Sequence, residues 1–147
     1  MSGKRQWINR SQPQTLVIAD FLLYFTGAIN LLFFGDRAIY LAALCGDGGS
    51  CASARLVDLL RLALPVAGVA AAYGIANEQK WAYRLGIAVA AAPLTARVLV
   101  SLRYQISPLN FDLISLMFDV ALFALLVHPQ SRDYQRIWFT GGPRRGP

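Results

Sequence analysis

Charge is scarce in this chain. Only 15% of its 147 residues are Asp, Glu, Lys or Arg, where ordinary soluble domains carry about 25%. Histidine occurs once, at His128, and cysteine twice, at Cys45 and Cys51. One histidine excludes bis-histidine haem ligation within the chain, and two cysteines exclude both a disulfide scaffold and a four-ligand structural metal site. There is no glycine-rich phosphate loop, no Ser/His/Asp set and no His–Glu metal helix in the sequence. No catalytic or metal-ligating residues are therefore assigned, and the chain is read as a non-enzyme. Acidic residues are the scarcer sign, 8 against 14 basic ones, which leaves a net charge of +6. A nucleic-acid module would gather such an excess into a patch interleaved with aromatics on a polar domain. Here the bases sit between long apolar runs, so nucleic acid is excluded as a partner.

What the chain has in abundance is apolar surface: 56% of it is hydrophobic, with a mean hydropathy of +0.43. Four stretches, 15–35, 56–76, 81–102 and 109–128, approach or exceed the ~20 mainly apolar residues that cross a hydrocarbon core. Helices buried in a soluble bundle would keep a polar face, and runs such as Val69–Tyr73 and Leu122–Val127 have none. The expected fold is all-α: an integral membrane four-helix transmembrane bundle spanning 15–128, flanked by basic tails at 1–14 and 129–147. The looser piece at 38–53 reads as an interfacial turn or short helix. The run at 15–35 is longer than a signal core and carries Asp20, so it is read as an uncleaved span.

Orientation follows from the bases in the connections. Lys4, Arg5, Arg10, Lys80, Arg84, Arg132, Arg136, Arg144 and Arg145 fall on one side of four such spans, and only Arg37, Arg55 and Arg103 on the other. Both termini and the middle hairpin are thereby expected in the cytoplasm, and the chain in a bacterial inner (plasma) membrane as a multi-pass protein. The three tryptophans, Trp7, Trp81 and Trp138, all fall at that same interface, where amphipathic rings prefer to lie. The piece 134–139 mixes bases with aromatics and is expected to lie in the interface.

Ionisable residues within spans are costly and by default suggest function. The set is Asp20, Asp58, Arg61, Arg97, Asp112 and Asp119. Helical rise places Arg61, Arg97, Asp112 and Asn30 at similar depth in the outer half, and Asp58 one turn from Arg61. An outer-leaflet polar cluster of Asn30, Asp58, Arg61, Arg97, Asp112 and Asp119 is expected, with Arg97 facing Asp112 or Asp119. Four acids against two bases mean that Asp20 and Asp119 are held neutral, as protonatable groups, or that a partner supplies cations. Cys45 and Cys51 enclose a glycine-rich loop on the non-cytoplasmic side, which makes them a candidate disulfide. His128, followed by Pro129, is either a helix-end residue or a candidate axial ligand to haem or chlorophyll; otherwise no cofactor is expected beyond lipid or pigment contacts.

Small residues recur at four-residue spacing in Ala63, Ala67 and Ala71 and in Ala88, Ala92 and Ala96, faces along which backbones can approach closely in lipid. Bulky faces on the outer spans, among them Phe21, Phe25 and Phe118, suit lipid or another subunit. The hairpin from Tyr73 and Gly74 through Trp81, Ala82, Tyr83, Arg84, Leu85 and Gly86 resembles a turn of small bacterial four-helix membrane proteins, the DoxX-like ones among them, a resemblance that implies no activity. The functional expectation is an accessory or structural subunit of a larger respiratory, photosynthetic or transport complex, with the lipid bilayer and other membrane subunits as partners. The competing expectation is a homo-oligomeric transporter or channel that uses the intramembrane Arg/Asp cluster.

Overall fold

The computed structural model describes residues 7–9, 12–33, 37–45, 54–107 and 113–139, and the account below concerns these. They form six helices and no strand: α1 (Gln14–Phe33), α2 (Arg37–Cys45), α3 (Ala54–Ala76), α4 (Lys80–Tyr104), α5 (Leu113–Val127) and α6 (Pro129–Trp138). Three helices, Gln14–Leu32, Arg55–Ala76 and Lys80–Tyr104, are long and apolar enough to cross a membrane. A fourth crossing results if α5 and α6, bent by 47° at their junction, count as one broken span. At most 39% of each qualifying window is buried against the rest of the chain, so the apolar majority faces outward, as a lipid solvent allows and water does not.

α1 packs against α3 and α5, and α4 packs against the same two helices. α2 falls within the piece expected as an interfacial turn or short helix, and it docks on α3 and α4. Leu16, Leu23, Ile75, Ala90, Leu122 and Leu126 meet in the centre. The close approaches are made by glycines. A Cβ added at Gly27 of α1 would stand 3.1 Å from the Pro65 carbonyl oxygen and 2.9 Å from Val69 Cγ2, so α1 crosses α3 almost backbone to backbone. The alanine stripes are only partly the packing faces: Ala71 and Ala96 are buried, whereas Ala63 and Ala88 are exposed. A strict four-residue step drifts around a helix of 3.6 residues per turn, and the buried face of α3 runs instead through Gly68, Ala71, Ala72 and Ile75. The bulky residues do face outward, with Phe21 60% exposed and Phe25 stacked on it at 6.2 Å between ring centroids.

The turn between α3 and α4 closes by two reversed hydrogen bonds, from Glu78 N to Ile75 O and from Gln79 N to Gly74 O. Glu78 takes the left-handed position of this Schellman motif, at φ 59°. Its carboxylate compensates for the strained backbone by accepting from Asn9 Nδ2 (3.3 Å) and from the Tyr134 hydroxyl (3.0 Å). The N-terminal segment is fastened further by Gln12 Nε2, which donates to Ile75 O at 2.8 Å.

The α5–α6 break is written in Pro129, which has no N–H to offer the Leu125 carbonyl one turn earlier. Ser131 Oγ donates to that carbonyl at 2.7 Å, and the Tyr83 hydroxyl donates to the next one, Leu126 O. His128 caps the new helix, its Nδ1 accepting from Gln130 N at 3.3 Å.

Candidate functional site

The buried charge is concentrated on α4 and α5. Arg97 is 1% exposed and is the largest fully buried side chain among the described residues. Its Nη2 lies 3.4 Å from Asp119 Oδ2 and donates to Ser115 Oγ at 2.9 Å. Ser115 and Asp119 stand four residues apart and so project from one face of α5, which lets a single guanidinium engage both. Of the two expected acidic partners, Asp119 pairs with Arg97; Asp112 lies outside the described residues. A guanidinium with its counter-charge supplied inside the protein is the arrangement that low dielectric favours, since isolation of either ion costs several kcal/mol.

Beside this pair lies a cavity of about 40 Å³, enough for a few waters. Thr26 and Asn30 of α1, Tyr40 of α2, Pro65 of α3, Pro93 of α4 and Asp119 of α5 contribute to its wall. Five helices thus converge on one hollow, mostly apolar in its wall, into which Thr26, Asn30, Tyr40 and Asp119 bring polar groups. Pro65 and Pro93 face it from inside helices, where each removes an intrahelical donor.

The remaining members of the expected cluster form a second feature. Asn30, Asp58 and Arg61, with Leu31 and Leu62, line a hollow of about 200 Å³ between α1 and α3 that opens to the outside of the helices. Asn30 belongs to both hollows. The expected single cluster is therefore two sites joined at Asn30: an enclosed one at Arg97–Asp119, and an open one at Asp58 and Arg61.

Asp20 stands apart from both. It is 0% exposed on α1, and neither carboxylate oxygen has a hydrogen-bond partner among the described residues. It does not line the central cavity. Cys45 ends α2 and there is no free cysteine among the described residues; Cys51 lies outside them. His128 is exposed, with one ring nitrogen engaged in the α6 cap. No group of three or more metal-ligating side chains occurs among the described residues.

Sequence reasoning missed Ser115, Ser131, Tyr83, Glu78 and Tyr40. A signal existed for two of them: Ser115 precedes Asp119 by one helical turn, and Ser131 follows the Pro129 that orphans a carbonyl. The others are placed by helix packing and have no local signature. Compared with protein-family models, curated proteins and solved structures, the chain shows no match.

Proposed function

We propose that this is a small polytopic membrane protein without a catalytic site of its own, an accessory or structural subunit of a larger membrane complex, respiratory, photosynthetic or transport. The observation that carries this reading is the open hollow at Asn30, Asp58 and Arg61. Arg61 lies six residues inside the candidate span that begins at Arg55, a depth of about 9 Å along the helix axis. The polar groups of Asn30, Asp58 and Arg61, presented outward at that depth in a recess otherwise walled by apolar atoms, favour a polar residue of a neighbouring helix over acyl chains. The exposed aromatic strip of Phe21, Phe25 and Phe118 continues the outward-facing surface on the α1–α5 side, where Phe25 and Phe118 meet at 6.0 Å.

In this reading the chain forms a four-helix transmembrane bundle whose fourth crossing is the run 109–128 that holds α5, and α6 lies in the interface beyond it. Both termini lie in the cytoplasm of a bacterium, and Cys45 and Cys51 form a disulfide on the opposite side. An alkaline phosphatase fusion after Ser50 is then expected to be active and one after Gln79 inactive; the reverse pattern overturns the orientation.

Purification in mild detergent followed by native mass measurement tests the subunit reading. A heteromeric assembly that dissociates when Asp58 and Arg61 are replaced by Leu supports it, and a lone 16 kDa species at every detergent level overturns it. The second reading, a homo-oligomeric transporter or channel, is favoured by the cavity beside Arg97 and Asp119, to which Thr26, Asn30, Tyr40 and Asp119 contribute polar groups. It requires identical subunits in the mass spectrum and solute or ion flux in liposomes holding the purified chain alone.

A further inference from the structure

The break at Pro129 leaves a hollow of about 490 Å³ between the start of α4, the end of α5 and the face of α6. Arg132 and Arg136, one turn apart on α6, stand on its wall together with Asp133 and Gln135; Ile87 of α4 and Val127 of α5 supply an apolar side. Two guanidinium groups against one carboxylate leave the hollow with net positive charge. Arginine forks match the oxygens of a phosphate, two donors to two acceptors.

A second feature lies in line with the first. Ala91, Leu94, Thr95, Val98 and Leu99 of α4, with Phe123 of α5, line an open and almost wholly apolar furrow of about 400 Å³. Ile87, Ala91, Leu94 and Val98 follow one another at three- and four-residue steps, and Phe123 precedes Val127 by four. Both helices therefore carry one continuous face from the basic hollow into the furrow. From Ile87 to Leu99 the helix rises about 18 Å, more than the ~15 Å depth of one leaflet's hydrocarbon. The part of the furrow that a lipid of the α6 leaflet reaches is therefore the end nearest the hollow, at Ala91, Leu94 and Phe123.

We propose that the hollow and furrow together hold one anionic phospholipid of the leaflet that contains α6. Its headgroup phosphate sits between Arg132 and Arg136, and an acyl chain lies along the α4–α5 furrow. A free phosphate ion would satisfy the arginines and leave the furrow without purpose; the collinear apolar face is what selects a lipid. The exposed Ile137 and Trp138 at the end of α6 set this helix at the headgroup level, where such a phosphate resides. The site is independent of whether the chain has partner subunits.

The full chain, purified in detergent, is titrated with phosphatidylglycerol or with phosphatidylcholine of the same acyl chains, and bound lipid is counted by native mass spectrometry. Phosphatidylglycerol is expected to be retained preferentially, and the R132Q/R136Q double variant to bind it roughly tenfold more weakly. R84Q, which removes a base that does not line the hollow, is expected to keep the preference. A91F fills the outward-facing furrow while leaving the arginines in place, and is expected to weaken retention of both lipids without changing their ratio. Equal retention of the two lipids by the unaltered chain overturns the proposal, as does a double variant that keeps the preference or an A91F variant that retains lipid unchanged. Displacement of phosphatidylglycerol by an equal concentration of inorganic phosphate also overturns it, in favour of a free-anion site.

Discussion

Replacement of Arg97 by alanine is expected to destabilise the folded chain by ~3–5 kcal/mol, the cost of leaving one partner of a buried ion pair without the other. The guanidinium lies 3.4 Å from Asp119 Oδ2 and 2.9 Å from Ser115 Oγ, and both acidic partner and base are almost fully excluded from solvent. Snorkelling cannot relieve the loss, because Asp119 has a short side chain on a helix packed against two others. Two costs add in the R97A variant: an uncompensated carboxylate, and the empty volume of the largest fully buried side chain among the described residues. The double variant R97M/D119L should recover much of the stability, since an apolar pair of similar volume replaces a buried ion pair at little or no cost. Thermal melts of the single and double variants in one detergent provide the measurement. An R97A protein that melts like the unaltered chain would show that the pair contributes nothing. Recovery of stability without recovery of assembly or transport would assign the pair to function.

The second large effect is expected at the α3–α4 hairpin. Gly74→Ala drives a methyl group into Ala82 Cβ, with the Trp81 ring at 3.4 Å and Ala82 Cα at 3.6 Å. Neither Cβ can rotate away, so the helices must separate. Helix propensity alone would favour alanine by up to ~1 kcal/mol. Overpacking of this kind costs ~1–3 kcal/mol, occasionally more, and here the clash falls between two stiff groups beside a closed turn. Gly74 is also the residue whose carbonyl accepts from Gln79 N in that turn, so separation of the helices strains the turn as well. The net expectation is a loss of roughly 2 kcal/mol. Ala82→Gly in the same chain removes the opposing Cβ and is expected to restore most of it. Gly86→Ala offers the contrast, because its added methyl meets the Ile75 Cδ1 tip at 3.2 Å, and a flexible side-chain end can yield. Its effect should be far smaller. Equal losses at Gly74 and Gly86 would show that helix packing around the hairpin is less tight than the geometry requires.

Much of the architecture was legible because lipid imposes simple demands. Apolar length alone marks 15–35, 56–76 and 81–102 as spans, and the helices follow at Gln14–Phe33, Ala54–Ala76 and Lys80–Tyr104. The fourth run, 109–128, was legible as apolar but not as broken. Its helix covers Leu113–Val127, and Pro129 starts a new one at 47°. Proline marks where a helix is disturbed; the direction of the new segment depends on which donors meet the orphaned carbonyls, and those are Ser131 and the distant Tyr83. The ionisable set was likewise visible as a list of costly residues. Its division into an enclosed pair and an outward hollow depends on helix rotation, which a four-residue pattern cannot supply.

By itself, the sequence marked this chain as helical, with four apolar runs, because hydropathy acts through composition and length along one helix. The structure gives three helices long and apolar enough to cross a membrane, or four if the bent pair is one span. The sequence also determined which polar side chains would have to be accommodated there. Only the tertiary structure decided their partners. Arg97 meets Asp119 and Ser115 because α4 and α5 present particular faces to each other at a particular height, and Gly27 and Gly74 allow α1, α3 and α4 to approach closely enough to hold those faces in place. Depth can be counted from residue numbers at a fixed rise, whereas azimuth is set by packing between helices, and the chemistry of each buried group depends on azimuth.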